Sequence, residues 1–445
     1  MPLADRYGLP VSTSSTVALE RYQDGMDRLL AYGLGAEDCF AAALAADERF
    51  ALAYAGAALW SFFRNDGSAA RAAIAKAAAA LDGATRREHQ HVDALTAIVG
   101  GETARGLEMI QEHVDEFPRD ALLVNQASSS IGFGGRPDRE TVRLEFIARL
   151  APAYGDDWWF QSALAFVYHE VGRFEESRRL SERSLEQYSA NANASHNIAH
   201  VQFETLDNDG GVAFLEDWLA VYDRRAPFHC HLAWHLALFE LARGGVARAT
   251  EIYERDILPA SNPRLALMDG AALLWRLALY GDAAALPAWT PLADLAKQVS
   301  RPGFVFGDVH AGLAYSSAGD AAALDRLIVG LRALEAKGHP IAGTVALPLV
   351  RGAAAIAAGD YLGALAHIEP VDAQIHRIGG SHAQWEVFEE TMVICQLRAG
   401  RYEDAERLVR RRLGRRASVR DLAWLDQARA GIAAPGPAPV PSPAG

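Results

Sequence analysis

The stretch GRFEESRRLSERSLEQY, residues 172–188, decides the fold. It opens on a glycine, places an aromatic two residues later and a small residue, Ser177, three after that. From Phe174 onward Leu180, Ser184 and Tyr188 share one helical face, flanked by Glu175, Glu176, Arg178, Arg179 and Glu182. GDYLGA (Gly359–Ala364) and GRYEDA (Gly400–Ala405) repeat the form, and Gly67–Ala72 and Gly244–Ala249 keep its glycine-to-small spacing. The intervals between these glycines are 105, 72, 115 and 41 residues, which divide into units of 35, 36, about 38 and 41. Such a unit is a pair of short antiparallel helices that cannot bury its apolar faces alone, so stacking on neighbours completes the core. The glycine turns the chain where φ must be positive, and the small residue lets the second helix press on the first.

Working outward, AAALAADERFALAYAGAALW (Ala41–Trp60) reads as the second helix of one unit running through a turn into the first helix of the next. SSSIGFGGRPDRE (Ser128–Glu140) reads as a glycine-rich turn, DILPASNPRLALMDG (Asp256–Gly270) as a longer connection, and RIGGSHAQWEVFEE (Arg377–Glu390) as two glycines before a helix. The expected fold is all-α, a right-handed superhelix of about ten tetratricopeptide-like hairpins. Residues 1–16 form an extended lead, 17–432 the solenoid, and 433–445 a disordered Pro/Ala-rich tail.

Composition narrows the function. The chain has 445 residues, 50% hydrophobic and 22% charged, with 43 basic against 56 acidic side chains and a formal charge of −13. A core of ordinary size is affordable, and a dedicated nucleic-acid or polybasic membrane binder is disfavoured. Cys39, Cys230 and Cys395 make no disulfide framework; with no signal-like start, they point to a cytoplasmic protein.

Several segments resemble the tetratricopeptide repeat protein 38-like family: GLPVSTSS, REHQHVDA, HNIAHVQFE, HLAWHLALFEL, IYERDILP, FGDVHAGLA and GGSHAQWEVF, spanning roughly Leu9 to Glu390. The resemblance implies an all-helical repeat fold and no settled reaction.

The candidate site comes from histidine register. His196 and His200 are an i, i+4 pair, and so are His231 and His235; each pair projects from one helical face. His196 to His231 is 35 residues, and His200 to His235 is 35 again, so the pairs occupy equivalent places on the first helices of adjacent units. Helices packed about 8–10 Å apart could bring the four imidazoles together. The stripe continues through Asp269, 34 residues after His235, then Asp308 and His310, Arg351, and His382 to Gln384. Burying so many polar groups costs several kcal/mol unless they are paired or used.

Three uses are open. The histidines hold neighbouring repeats together in a groove that captures a partner peptide. Alternatively, the groove takes a small polar molecule, with His196, His200, Glu204, Asp269, Arg351, His382 and Gln384 binding it. An enzyme on the same patch would use His231 or His235 as general base, with Asp308 orienting His310. Lastly, His196, His200, His231 and His235 could ligate zinc or iron, with Glu204, Asp269 or Asp308 nearby. No HExxH metalloprotease motif is present. The leading expectation is a ligand-binding repeat protein accepting a small polar molecule or peptide segment, with no nucleic acid and no membrane as partner. An enzyme and a generic interaction scaffold are the alternatives.

Overall fold

A computed structural model describes residues 3–281 and 286–433. Among these residues are 23 α-helices; twenty-two pair in sequence as eleven hairpins, and Val419–Ala433 closes the far end. The protein is an all-α solenoid of tetratricopeptide-like hairpins. The tail expected over 433–445 lies, Ala433 apart, outside the described residues.

Turn chemistry explains the hairpins. Gly172, Gly244, Gly359 and Gly400 all have φ between +73° and +84°. The small residue five positions on, Ser177, Ala249, Ala364 or Ala405, is fully buried between the two helices. The Gly67–Ala72 match was two residues out of register. There the left-handed residue is Asn65 (φ 67°), Ala70 is the buried small residue, and Gly67 merely begins the helix Gly67–Ala79 after its Asp66 cap. Leu206 (φ 61°) with Gly211 is another unit of the same kind; a Cβ on Gly211 would stand 2.5 Å from the Phe239 ring. Ala41–Trp60 does run from the helix Ala36–Ala46 through a turn into Ala51–Phe63. Ser128–Phe133, read as part of a turn, is instead the last part of the helix Ala121–Phe133, because only Gly134 onward breaks the helical hydrogen bonding. Pro263 likewise belongs to a helix, as the first residue of Pro263–Leu279, where a missing N–H costs nothing.

The superhelix winds tightly enough for early and late hairpins to touch. Arg64 donates to the Ser261 carbonyl (3.2 Å), Asn65 to Val299 (3.1 Å), Arg139 to Gly380 (2.7 Å) and Arg377 to Gly135 (2.9 Å). The helix His382–Arg398 lies against Pro263–Leu279. Trp275 donates to Thr391 (2.9 Å), and Arg276 pairs with Glu390 (3.0 Å).

Candidate functional site

Two first helices carry the histidines, Ala192–Glu204 and His229–Ala242. Equivalent register on adjacent hairpins brings the four rings together. His196 Nε2 lies 3.0 Å from His231 Nε2 and 2.8 Å from His200 Nε2. One nitrogen from each of His196, His200, His231 and His235 falls within 4.8 Å of all the others. The rings of His200 and His235 stand 4.5 Å apart. All four residues are buried, His200 and His235 completely. Phe166, Phe228 and Trp234 wall the cluster with aromatic rings.

Asp269 sets the chemistry of His231. Both its carboxylate oxygens are 3.0 Å from His231 Nδ1, which donates to them, so the Nε2 of a neutral His231 presents a bare lone pair to the cluster. Burial holds His196, His200 and His235 far below the usual imidazole pKa, and neighbouring histidines push the same way. His196, His200 and His235 are thus neutral imidazoles. His196 Nδ1, His200 Nδ1 and both nitrogens of His235 have no hydrogen-bond partner. With His231 donating its Nδ1–H to Asp269, every neutral tautomer leaves the two contacts at His196 Nε2 with lone pair against lone pair, N–H against N–H, or one proton shared between two acceptors. A cation at the centre would resolve this conflict. A tetrahedral ion with nitrogen ligands at about 2.0–2.1 Å requires ligand atoms about 3.3 Å apart; the two pairs at His196 Nε2 stand at 3.0 and 2.8 Å, and the whole set lies within 4.8 Å.

The rest of the stripe does not join this cluster. Asp308 was expected to orient His310, yet its carboxylate turns the other way. It accepts from the Gly303 N–H (2.9 Å) and the Ser300 hydroxyl (3.4 Å), tying down the connection before its own helix. Burial pushes its carboxyl up to about 7. His310 donates from Nδ1 to the Phe306 carbonyl (2.7 Å), and burial lowers its pKa to about 4. Glu204 accepts from His382 Nδ1 (2.7 Å), joining helices 178 residues apart. Gln384 caps its own helix through the Ser381 N–H (3.0 Å). Arg351 is half-buried on Leu347–Ala357.

Sequence reading missed two features. His169 packs its ring 4.6 Å from that of His200. It sits one 35-residue unit before Glu204, so the same register argument could have found it. Arg410, Arg411, Arg412, Arg415, Arg416 and Arg420 read in sequence as a late basic face, solvated or paired with acidic surface elsewhere in the chain. Instead Arg412, 3% exposed, reaches Glu386 (3.0 Å), Glu389 (3.0 Å) and Asp421 (2.7 Å), and Arg416 also holds Glu386. These arginines occupy the carboxylates of the other His/Glu group, His382, Glu386 and Glu389, which therefore has no free donor set for a metal.

No protein-family profile matches this chain. Among solved structures, the human IFIT1 dimer with m7Gppp-AAAA aligns over 97% of this chain and 96% of that one, at 11% identity and a TM-score of 0.39. The Cut9–Hcn1 hetero-tetramer of the APC/C aligns over 84% and 76%, at 12% identity and 0.36. Yeast Tom70 aligns over 93% and 95%, at 12% and 0.31. Likeness at this level says nothing of the site. No helix among the described residues is long and apolar enough to cross a membrane.

Proposed function

We propose that residues 17–432 form a ligand-binding tetratricopeptide-like repeat protein, akin to the tetratricopeptide repeat protein 38-like family, whose interior ligand is a transition-metal ion. His196, His200, His231 and His235 hold the ion, and Asp269 orients His231. The supporting observation is the convergence of four buried imidazoles, three of them with unpartnered nitrogens. Imidazole donors favour zinc, copper, iron or nickel over magnesium or calcium. Four protein ligands leave no open coordination position, so the site suits a structural or sensing ion better than hydrolytic chemistry. The enzyme alternative is weaker because His231 is committed to Asp269 and His235 is sealed from solvent. Three buried, unpaired thiols fit a cytoplasmic setting.

The test is elemental analysis of the protein as purified, followed by cobalt(II) titration of chelator-stripped protein. One equivalent of metal per chain and tetrahedral cobalt bands in the visible spectrum are expected. Both should disappear in His196→Ala, with helical circular dichroism retained. Metal-free protein that takes up no cobalt would refute the proposal.

A further inference from the structure

The helices Trp158–Glu170, Ala192–Glu204, His229–Ala242 and Pro263–Leu279 pack in that order, so the two that carry the tetrad are flanked by one on each side. Each flanking helix brings in a polar side chain one turn out of step. Asp269 meets His231 across 38 residues, four more than the 34 that separate it from His235. His169 meets His200 across 31 residues, four fewer than the 35 between His200 and His235. Four residues are about one helical turn. Asp269 and His169 therefore both lie a turn further along their helices than the position level with the ring they meet.

His169 is buried, and neither of its ring nitrogens has a hydrogen-bond partner. Its ring stands 4.6 Å from that of His200, inside the range of 4.2–5.1 Å over which the tetrad's own rings meet. Its other ring neighbours, Phe166 (6.3 Å) and Phe174 (5.8 Å), offer no lone pair and no proton. Glu170, the next residue, places an oxygen 3.4 Å from His169 Nδ1. Burial alone would raise the Glu170 carboxyl, yet His169, Arg139 and Arg143 hold it below its ordinary value, so it is an anion able to accept from a ring N–H.

His200 has an unmet requirement on this side. Its Nε2 faces His196 Nε2 at 2.8 Å and is the atom given to the cluster, whereas its Nδ1 is buried and unpartnered. An imidazole that binds a metal through one nitrogen carries its proton on the other, and that N–H is almost always passed to an acceptor that fixes the ring. His231 meets the condition through Asp269.

We infer that His169 is the positioning residue for His200: with its Nδ1–H turned to Glu170, its Nε2 lone pair receives the His200 Nδ1–H. Glu170, His169 and His200 then form one arm of the site, and Asp269 with His231 forms the other. Each ligand helix is thereby oriented by the hairpin outside it. The inference rests on the metal reading above and assigns His169 no contact with the ion.

Cobalt(II) titration of chelator-stripped full-length protein, with affinities from competition against a chromophoric chelator, compares the wild type with His169→Leu and His169→Gln. Leucine accepts nothing, whereas the glutamine carbonyl accepts from an N–H. His169→Leu should bind cobalt at least about tenfold more weakly, the order expected when the group orienting a metal ligand is lost, and His169→Gln should stay within about threefold of the wild type. A role in packing alone predicts the reverse, since leucine suits an interior position better than glutamine does. A second readout needs no variant: zinc-loaded wild type carrying isotope-labelled histidine should show a slowly exchanging Nδ1–H at His200. Wild-type protein that takes up no cobalt overturns the metal reading and this one with it. Wild-type uptake with equal affinity in His169→Leu, with glutamine no better than leucine, or with no protected His200 N–H in the zinc-loaded protein, overturns this inference alone.

Discussion

Replacing His235 by leucine should reverse the order of stability between metal-free and metal-loaded protein. His235 is fully buried, and neither ring nitrogen has a partner without an ion. A buried polar group left unsatisfied costs about 1–3 kcal/mol, and leucine removes that cost while filling much of the same space. In chelator, His235→Leu should therefore be more stable than the wild type by about 1–3 kcal/mol. Zinc at a hundredfold excess over its dissociation constant stabilises a one-site protein by about 2.7 kcal/mol. The wild type should gain that amount, and the three-histidine variant less than half of it, so zinc narrows or inverts the gap. Urea unfolding followed by tryptophan fluorescence, with Trp234 packed against His231 as a local reporter, reads all four states. A variant less stable than the wild type in chelator, with zinc moving neither protein, would show that the histidines are ordinary core and that the coordination argument fails.

Other consequences follow from groups already placed. Asp269→Asn weakens the hold on His231 Nδ1 and should lower zinc affinity 10- to 100-fold, measured by competition with a chromophoric chelator. Asp308, 1% exposed, has a carboxyl raised to about 7 from an ordinary value of 3.8. Because the folded value is the higher, its contribution to stability is complete below about pH 4 and is lost as the pH rises through 7. Three units amount to about 4 kcal/mol, so urea midpoints of Asp308→Asn should lose far less than the wild type between pH 4 and pH 8. Arg412→Leu strands Glu386, Glu389 and Asp421 in the interior and should cost about 3–5 kcal/mol by the same unfolding assay. An Asp421→Asn, Arg412→Leu double variant should recover part of the loss.

The hairpins and the histidine tetrad were legible because both depend on separations of one repeat or less. A left-handed turn and a small residue five positions later define one unit, and a spacing of 35 places His196 against His231 without knowledge of anything further along the chain. Contacts between distant hairpins were not legible. Glu204 with His382 and Arg139 with the Gly380 carbonyl depend on superhelical pitch, which accumulates over many units of unequal length. The Arg412 ion-pair cluster was misread for a related reason. The sequence of Tyr402–Arg415 is that of a polar amphipathic helix, and only the arrival of His382–Arg398 and Val419–Ala433 beside it turns its arginines inward.

Asp269 shows how one departure from regularity builds the site. Counted from His235 it stands 34 residues on, the expected repeat, yet it bonds His231, 38 residues away. The difference is four residues, one helical turn. Between the two helices the chain makes a π-helical turn, Tyr253–Ile257, and a connection to Asn262. Asp269 is the seventh residue of Pro263–Leu279 and His231 the third of His229–Ala242, so the two helices pack one turn out of step. Had the array kept its register, the carboxylate would have faced His235 and satisfied it, and His231 would have been left without an orienting partner. The offset instead fixes the tautomer of His231 and leaves both nitrogens of His235 without a partner. It supplies the asymmetry that four equivalent histidines could not provide for themselves.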